Sequence, residues 1–308
     1  MRARVVVVVV GALSAACLFP DLSGLTDAGD ASDAAKDVAP DADASVVMCD
    51  PQKPFGTPRA LSEINNSDNQ FNPTLTGDEL EILWGELVPV GDGGAAHVMH
   101  STRTAIGQLF GAPSIESALD NGGPVDPTLS DDGLELVYAA SGSIGNYDLF
   151  RASRTKLGTS FGNPIQLPSN VLSTGDEISP TLATSGDLYF VSNRSSGYDV
   201  YLAASLGNNV FQAPAIVPEL SSGKDDGIAL THDELWVYVA SRRTDLGTAG
   251  GVDVFLGHRA TTADAFGPLT NVSEINTPND ERVKFVSRDA CRIYYESNDD
   301  LWLAEKTP

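Results

Sequence analysis

The most informative stretch of this sequence runs Ser179-Pro180-Thr181-Leu182, then Leu188-Tyr189-Phe190-Val191, then Tyr198-Asp199-Val200-Tyr201-Leu202-Ala203. Each piece is short and rich in apolar, β-branched and aromatic residues, which is typical of a strand buried on at least one side. Gly, Ser, Asn and Asp fill the intervals, so the chain turns sharply between the pieces. The stretch therefore predicts three consecutive antiparallel strands.

The same pattern recurs along the chain. Equivalent first strands contain Pro73, Pro127, Pro180, Ile228 and Lys284, which are separated by steps of 54, 53, 48 and 56 residues. A period of about 40 to 55 residues made of short strands is typical of propeller blades. We therefore predict an all-β, five-bladed β-propeller of four-stranded blades.

The ends of the repeat array predict how the ring closes. The first four units end in an aromatic-led turn and a fourth strand, whereas the last unit stops near Lys306 without one. A copy of the absent strand lies at the other end of the array, where FGTPRALSEIN at 55–65 matches FGPLTNVSEIN at 266–276. We expect 55–65 to complete the last blade, because an open ring would leave two unpaired strand edges.

The third unit, from Ser179 to Tyr201, resembles the WD40-like (PD40) repeat of TolB-type β-propellers. The resemblance covers roughly residues 55–306 and is weakest in the fifth unit. It implies a propeller fold and a non-enzymatic, interaction-type role. The separate N-terminal domain of TolB has no counterpart in this sequence, so the Pal-binding function of TolB is not carried over.

The N-terminus predicts export. A basic head and the apolar run 5–10 precede small residues and Cys17, a pattern too short to span a bilayer and similar to the signal peptide and lipobox of bacterial lipoproteins. Ser14 stands where that family prefers an aliphatic residue, so ordinary cleavage of a freely soluble exported protein is the alternative. We predict a signal peptide at 1–16, lipidation of Cys17 and, because Leu18 is not acidic, placement in the outer membrane.

Charge excludes several partners. The sequence has 19 Lys and Arg against 42 Asp and Glu, a formal net charge of −23. The Asp- and Ala-rich segment 17–50 predicts a disordered linker, and the propeller domain 51–308 keeps 16 bases and 34 acids, a charge of −18. Such a surface repels nucleic acid and anionic lipid, so we expect membrane contact only through the N-terminal lipid. We expect a monomer and no cofactor.

The cysteines fit the same compartment. If Cys17 carries lipid, Cys49 and Cys291 remain as a pair in an oxidising environment. Ring closure would bring both into the last blade, and we therefore predict a disulfide between them.

Motifs for catalysis and metal binding are weak in this sequence. Ser160 lies in a Gly-x-Ser-x-Gly pattern, but in an ordinary turn of the repeat and not in the strand-to-helix turn that a nucleophile needs. His97 and His100 have no zinc-site spacing, so we expect no metal. One acid recurs in most blades, which indicates turn capping: Asp148, Asp199, Asp253 and Asp299.

A second acidic set precedes or begins the first strands: Asp68, Asp176, Glu177, Asp225, Asp226, Asp280 and Glu281. If those strands line the central channel of the propeller, these carboxylates lie together at one end of that channel. They either cap turns or form a site for a cation or cationic ligand, with Lys224 and Arg282 as countercharges.

These observations favour a non-catalytic cell-envelope lipoprotein whose propeller is a binding scaffold for an envelope protein or a glycan. The alternative is a five-bladed propeller glycoside hydrolase, or another carbohydrate-active protein, that uses axial carboxylates. It requires two carboxylates from different blades, about 5 to 9.5 Å apart in a deep pocket, one with a raised pKa. Most aromatic residues fall at alternating strand positions that serve blade packing, among them Trp84, Tyr138, Trp236, Tyr238, Tyr294 and Trp302. This distribution favours the binding scaffold.

Overall fold

The computed structural model describes residues 47–90, 93–119 and 122–306. The predicted signal peptide 1–16, Cys17 and the linker as far as residue 46 lie outside these ranges. The described residues form twenty short strands and one turn of 3₁₀ helix at Ser117–Leu119. None of the helical residues described belongs to a helix that is long and apolar enough to cross a membrane.

The strands follow one another as antiparallel meanders. Strand β1 is Arg59–Ala60, and blade 1 contains β2 (Asn69–Leu75), β3 (Glu81–Val90), β4 (Gly93–Thr102) and β5 (Ser114–Ile115). Blade 2 contains β6 (Val125–Leu129), β7 (Glu135–Ser141), β8 (Tyr147–Ser153) and β9 (Ile165–Gln166). Blade 3 contains β10 (Glu177–Leu182), β11 (Leu188–Ser192), β12 (Asp199–Ala203) and β13 (Ala215–Ile216). Blade 4 contains β14 (Asp225–Leu230), β15 (Trp236–Ser241), β16 (Asp253–His258) and β17 (Thr270–Asn271). Blade 5 contains β18 (Glu281–Val286), β19 (Arg292–Ser297) and β20 (Asp300–Glu305).

Five four-stranded sheets result, and the prediction of a five-bladed propeller is confirmed. The first strand of each blade contacts the first strands of both neighbouring blades, so β2, β6, β10, β14 and β18 surround the axis. The large aromatic side chains between blades are fully buried: Trp84, Tyr138, Tyr189, Tyr238 and Tyr294.

Ring closure follows the sequence prediction. Strand β1 pairs with β20, with Arg59 opposite Leu303. The Asn65 side chain donates to the Leu301 carbonyl at 3.1 Å and accepts from its N–H at 3.0 Å. Asn276 bonds in the same way to Val254 in blade 4, at 2.9 and 2.7 Å. The N-terminal segment therefore serves as the fourth strand of blade 5 and keeps the hydrogen bonds of an ordinary blade.

A basic side chain at the end of the third strand lies over the aromatic ring that begins the following turn. The distances from the cationic group to the ring centroid are 4.5 Å for Arg103 and Phe110, 4.6 Å for Arg154 and Phe161, 4.4 Å for Arg259 and Phe266, and 4.1 Å for Lys306 and Phe55. Each such cation–π contact adds about 0.5 to 2 kcal/mol, more where the pair is desolvated. The last pair joins the two ends of the propeller.

The two ends of the ring differ in chemistry. The first strands begin at one end, which we call the acidic face because Asp176, Asp226 and Asp280 lie there. The turn between β18 and β19 lies at the other end, which we call the disulfide face. There Cys49 and Cys291 form a disulfide with an S–S distance of 2.08 Å, and the Cys49 N–H donates to Asp289.

We expect the Cys49→Ser/Cys291→Ser variant to lose about 2 to 4 kcal/mol of unfolding free energy, because the disulfide closes a long loop of the unfolded chain. Urea unfolding measures this loss. The wild type in reducing buffer is the matched control and should lose the same amount, whereas the variant should not respond to reductant. If the variant and the oxidised wild type unfold with equal free energy, the disulfide does not stabilise the closed ring.

Candidate functional site

Each first strand contains a bulge, and in blades 1 to 3 a polar residue in the bulge lies at the axis. In blades 1 to 3 these residues are Asn72, Asp126 and Ser179, with φ angles of 51°, 55° and 47°. A non-glycine residue in this left-handed region costs of order 1 kcal/mol or more, and such strain clusters at functional sites. Gly227 and Val283 occupy the position in blades 4 and 5.

Asp126 is the centre of this axial group. Its buried carboxylate accepts hydrogen bonds from the Asn72 amide at 2.5 Å and from the Ser179 N–H at 3.0 Å. The Ser179 hydroxyl donates to the Asp226 carbonyl at 2.6 Å. Three successive blades are therefore tied together around one carboxylate.

Lys284 lies one residue further along the first strand of blade 5 and is almost completely buried at the axis. Its ammonium donates to the Pro180 carbonyl at 2.9 Å. Burial lowers the pKa of Lys284 to about 8, and the negative charge of Asp126 opposes this shift. Beyond it, toward the disulfide face, lies a cavity of only about 70 Å³, well below the roughly 300 Å³ of ordinary ligand pockets.

Three of the seven predicted mouth acids are buried inside the connections between blades. Glu177 accepts from the Ser173 N–H and hydroxyl at 3.0 and 2.5 Å. Asp225 accepts from the Ser222 N–H and hydroxyl at 2.7 and 2.8 Å. Glu281 accepts from Thr277 in the same arrangement, at 3.0 and 2.5 Å. The structure gives these three a turn-capping geometry within the connections.

Two other predicted acids, Asp226 and Asp280, share two arginines on the acidic face with Glu296. Arg282 lies 3.3 Å from Asp226, 2.9 Å from Asp280 and 2.9 Å from Glu296. Arg242 lies 3.1 Å from Asp226 and 3.4 Å from Asp280. Burial opposes ionisation of Asp280, but the Val252 N–H and the two arginines outweigh it and lower its pKa. A network of charges thus joins blades 4 and 5.

Asp176 extends this network toward blade 3. It accepts from the Tyr198 hydroxyl at 2.8 Å and from Asn193 at 3.1 Å, and its Oδ1 is buried without a partner among the described residues. The pKa of Tyr198 is raised by burial, by Asp176 and by Asp226, so the hydroxyl remains protonated. We call the following residues the acidic cluster: Asp176, Tyr198, Asp226, Arg242, Asp280 and Arg282.

The remaining predicted residues lie apart from this cluster. Asp68 is half-buried in the loop before β2, where its N–H donates to Asn66. Lys224 contributes its backbone carbonyl, which accepts from the Arg242 N–H at 2.9 Å. Ser160 is exposed in the turn after β8. Hairpin N–H groups donate to Asp148 and Asp253, and the Gly223 N–H donates to Asp199. Asp299 occupies the β19–β20 turn with a φ of 64°.

Histidine chemistry is limited in the described part of the chain. His100 Nε2 lies 2.8 Å from the Ser114 hydroxyl, and His100 Nδ1 lies 4.0 Å from Glu81. Glu81 accepts two hydrogen bonds from Arg154, at 2.9 and 2.6 Å. Its carboxylate is therefore paired with Arg154 and not with the His100 imidazole, unlike the acid that orients a catalytic histidine. The described residues contain no cluster of three or more side chains that could hold a metal ion.

Sequence reasoning missed Asn72, Asp126, Ser179, Lys284 and Glu296. The first three were readable as polar residues at one aligned position before the repeated proline. Burial raises the pKa of Glu296 to about 7, while Arg282 opposes and Asp126 and Asp299 add to the shift. In the structure, the carboxyl group of Glu296 in blade 5, whose pKa is raised, interacts electrostatically with the carboxylate of Asp126 in blade 2.

Several solved structures share this fold. A GH62 hydrolase in complex with xylotriose has a TM-score of 0.55 and 11% identity, covering 83% of this chain and 98% of that one. The α-L-arabinofuranosidase from Podospora anserina, in complex with cellotriose, has a TM-score of 0.51 and 12% identity, covering 81% and 96%. TolB from Acinetobacter baumannii has a TM-score of 0.45 and 13% identity, covering 79% of this chain and 56% of that protein. This chain thus spans little more than half of that TolB.

No family model matches the sequence, and no curated protein matches it. At 11% and 12% identity, the two hydrolases demonstrate the propeller fold alone. The function has to be inferred from the chemistry of the axial residues and the acidic cluster.

We expect ionisation of Glu296 to make folding less favourable as pH rises from about 4.5 to about 7, because its folded-state pKa lies above the value of 4.5 for a solvated glutamate. The effect is at most about 3 kcal/mol. Urea unfolding across this pH range measures it. In Glu296→Gln this part of the pH dependence should disappear, whereas in the exposed control Glu305→Gln it should remain. An unchanged slope in Glu296→Gln would refute the assignment.

Proposed function

We propose that this chain is a non-catalytic, lipid-anchored binding protein of the cell envelope. Its acidic cluster takes a basic segment of a partner protein. The observation that carries the proposal is the composition of that cluster. Asp176, Asp226 and Asp280, together with the adjoining Glu296, outnumber two arginines, and one oxygen of Asp176 is buried without a donor among the described residues. A Lys or Arg side chain of a partner would supply both the charge and the donor.

The cluster also has the residue types of binding hot spots. Tyr and Arg are enriched in such positions, because they combine contact area with directional hydrogen bonds. Arg282 is held by three carboxylates and Tyr198 by Asp176, so little side-chain entropy remains to be lost on binding. These contacts support a preorganised recognition surface.

The axial geometry supports a non-catalytic role. Asp126 is held by Asn72 and Ser179, and Glu296 by Arg282. Lys284 occupies the axis beside them. Both carboxylates are thus engaged by internal partners, which favours a structural role for them.

Localisation is part of the proposal. Its support is the lipobox-like segment that ends at Cys17 and the Cys49–Cys291 disulfide, a bond typical of oxidising compartments. Cys49 lies at the disulfide face, so the described chain starts at the end of the ring opposite the acidic cluster. We propose that a lipid on Cys17 anchors the protein in the outer membrane.

We expect the mature protein to retain a basic partner from envelope extract, and the Asp176→Asn/Asp226→Asn variant to bind it about tenfold more weakly, because two carboxylates lose their charge. Pull-down followed by titration of the purified partner measures this. Added salt should weaken the wild-type complex. The exposed variant Glu305→Gln, on the other face, is the matched control. Equal affinity of both variants for the partner would exclude the acidic cluster as the binding surface.

A second candidate function rests on Glu296 and Asp126. One buried carboxyl group with a pKa of about 7 beside a second carboxylate is the combination that glycoside hydrolysis uses for acid and base. The two hydrolases with the same fold make this candidate worth a direct test.

We expect no release of reducing sugar from a panel of xylan, arabinan and glucan oligosaccharides, because the two carboxylates are held by internal partners. A reducing-end assay measures this. Turnover by the wild type that is lost in both Glu296→Gln and Asp126→Asn would replace the binding proposal with the hydrolase. Arg242→Gln, which lies outside this pair, would serve as the control for such activity.

A further inference from the structure

A cavity of about 380 Å³ lies at the junction of blades 4 and 5, far from the acidic cluster. It is formed by β15, β16, β17 and the residues that flank β17, together with the N-terminal segment 51–55 and Lys306. We call it the junction pocket. Its volume falls within the range of small-ligand sites. It exists because the ring closes here, where segment 51–55 replaces the loop that other blades have between their third and fourth strands.

Trp236 forms one wall of the junction pocket. It is half-buried, and its ring centroid lies 4.1 Å from that of His258. Equivalent positions in the other blades carry Glu81, Glu135, Asp187 and Arg292, so the repeat does not require an aromatic residue here. Sequence analysis assigned Trp236 to blade packing, but it belongs to none of the buried clusters in the described chain. Its indole faces a cavity.

Tyr238 lines the base of the pocket. Its side chain is fully buried and its ring lies 6.1 Å from that of Phe55. Its hydroxyl has no hydrogen-bond partner among the described residues. Buried hydroxyl groups are nearly always paired, because leaving one unpaired is costly. Burial and the charge of Glu274 raise the pKa of Tyr238, so the hydroxyl is protonated and able to donate.

Two charged residues of the pocket, Glu274 and Lys306, hold segment 51–55. Glu274 accepts from the Phe55 N–H at 3.1 Å. The Lys306 ammonium donates to the carbonyls of Pro51 and Lys53 at 2.7 and 2.5 Å. With Glu274 and Lys306 paired internally, the lining that remains is an aromatic wall, the Tyr238 hydroxyl, the exposed Lys53 and the neutral polar residues Gln52, Thr270 and Asn271. This mainly neutral, polar and aromatic lining suits an uncharged molecule that has hydroxyl groups.

We propose that the junction pocket binds a pyranose saccharide, with the sugar ring stacked on Trp236 and one sugar hydroxyl bonded to the Tyr238 hydroxyl. The C–H face of a sugar carries partial positive charge and packs against the negative face of an indole. Sugar hydroxyls both donate and accept, so one of them satisfies Tyr238. A proline-rich peptide also fits aromatic grooves, but proline has no N–H and would leave the acceptor side of that hydroxyl unpaired.

Isothermal titration calorimetry with cellotriose, xylotriose and the trimer of N-acetylglucosamine tests the proposal. The wild type should bind at least one of them with a Kd near 1 mM or below, about −4 kcal/mol. Tyr238→Phe should bind about fivefold more weakly while its thermal unfolding midpoint stays the same or rises, because it loses an unpaired buried group. A merely structural tyrosine would not separate affinity from stability in this way.

Trp236→Ala should lose binding and Trp236→Phe should retain part of it, since a smaller ring still offers a stacking face. Ser160→Ala, in an exposed turn of blade 2, should bind sugar as the wild type does. Failure of all three sugars to bind, undiminished binding by Trp236→Ala or Tyr238→Phe, or displacement of the sugar by a proline-rich peptide would overturn the proposal. Capture of a basic partner through the acidic cluster is measured separately, so either proposal can fail alone.

Discussion

The pairing of β1 with β20 is the constraint on which the rest of the structure depends. Four blades contribute all their own strands, but the fifth has only three until residues from the start of the propeller supply the last one. Without that pairing, two sheet edges would be free to bind other chains. The cost of bringing distant segments together is offset by the Asn65–Leu301 bonds, the Lys306–Phe55 contact and the Cys49–Cys291 disulfide.

Ring closure also determines which charged residues the axis of the propeller can hold. Five first strands converge there, and Asn72, Asp126, Ser179 and Lys284 lie in the narrow space between them. Charges placed in that space are desolvated, so they persist only when paired. Asp126 is accordingly held by Asn72 and Ser179, and Lys284 by a carbonyl. The axis therefore stabilises the ring, while the charges that remain available lie at its acidic end.

The two faces then have separate roles in our proposals. The acidic face offers carboxylates and arginines arranged by a network that spans blades 3 to 5. The disulfide face carries the start of the described chain and the junction pocket, whose aromatic wall is unlike anything in the other blades. One rigid ring would thus present a charged surface for a protein and an uncharged pocket for a sugar at opposite ends.

The repeated strand pattern and the match of 55–65 with 266–276 determined the five blades and the closing strand, because strand alternation and the Phe-Gly turn are local patterns that survive in a single sequence. Ring closure then placed Cys49 and Cys291 in one blade. The direction of each acid was decided only by the tertiary structure. Asp176 and Glu177 are neighbours, as are Asp225 and Asp226, and Asp280 and Glu281. In each pair one carboxylate caps a buried connection and the other reaches the acidic face. Successive strand residues point to opposite sides, and a bulge shifts that alternation, so which member faces the channel depends on the register set by neighbouring strands.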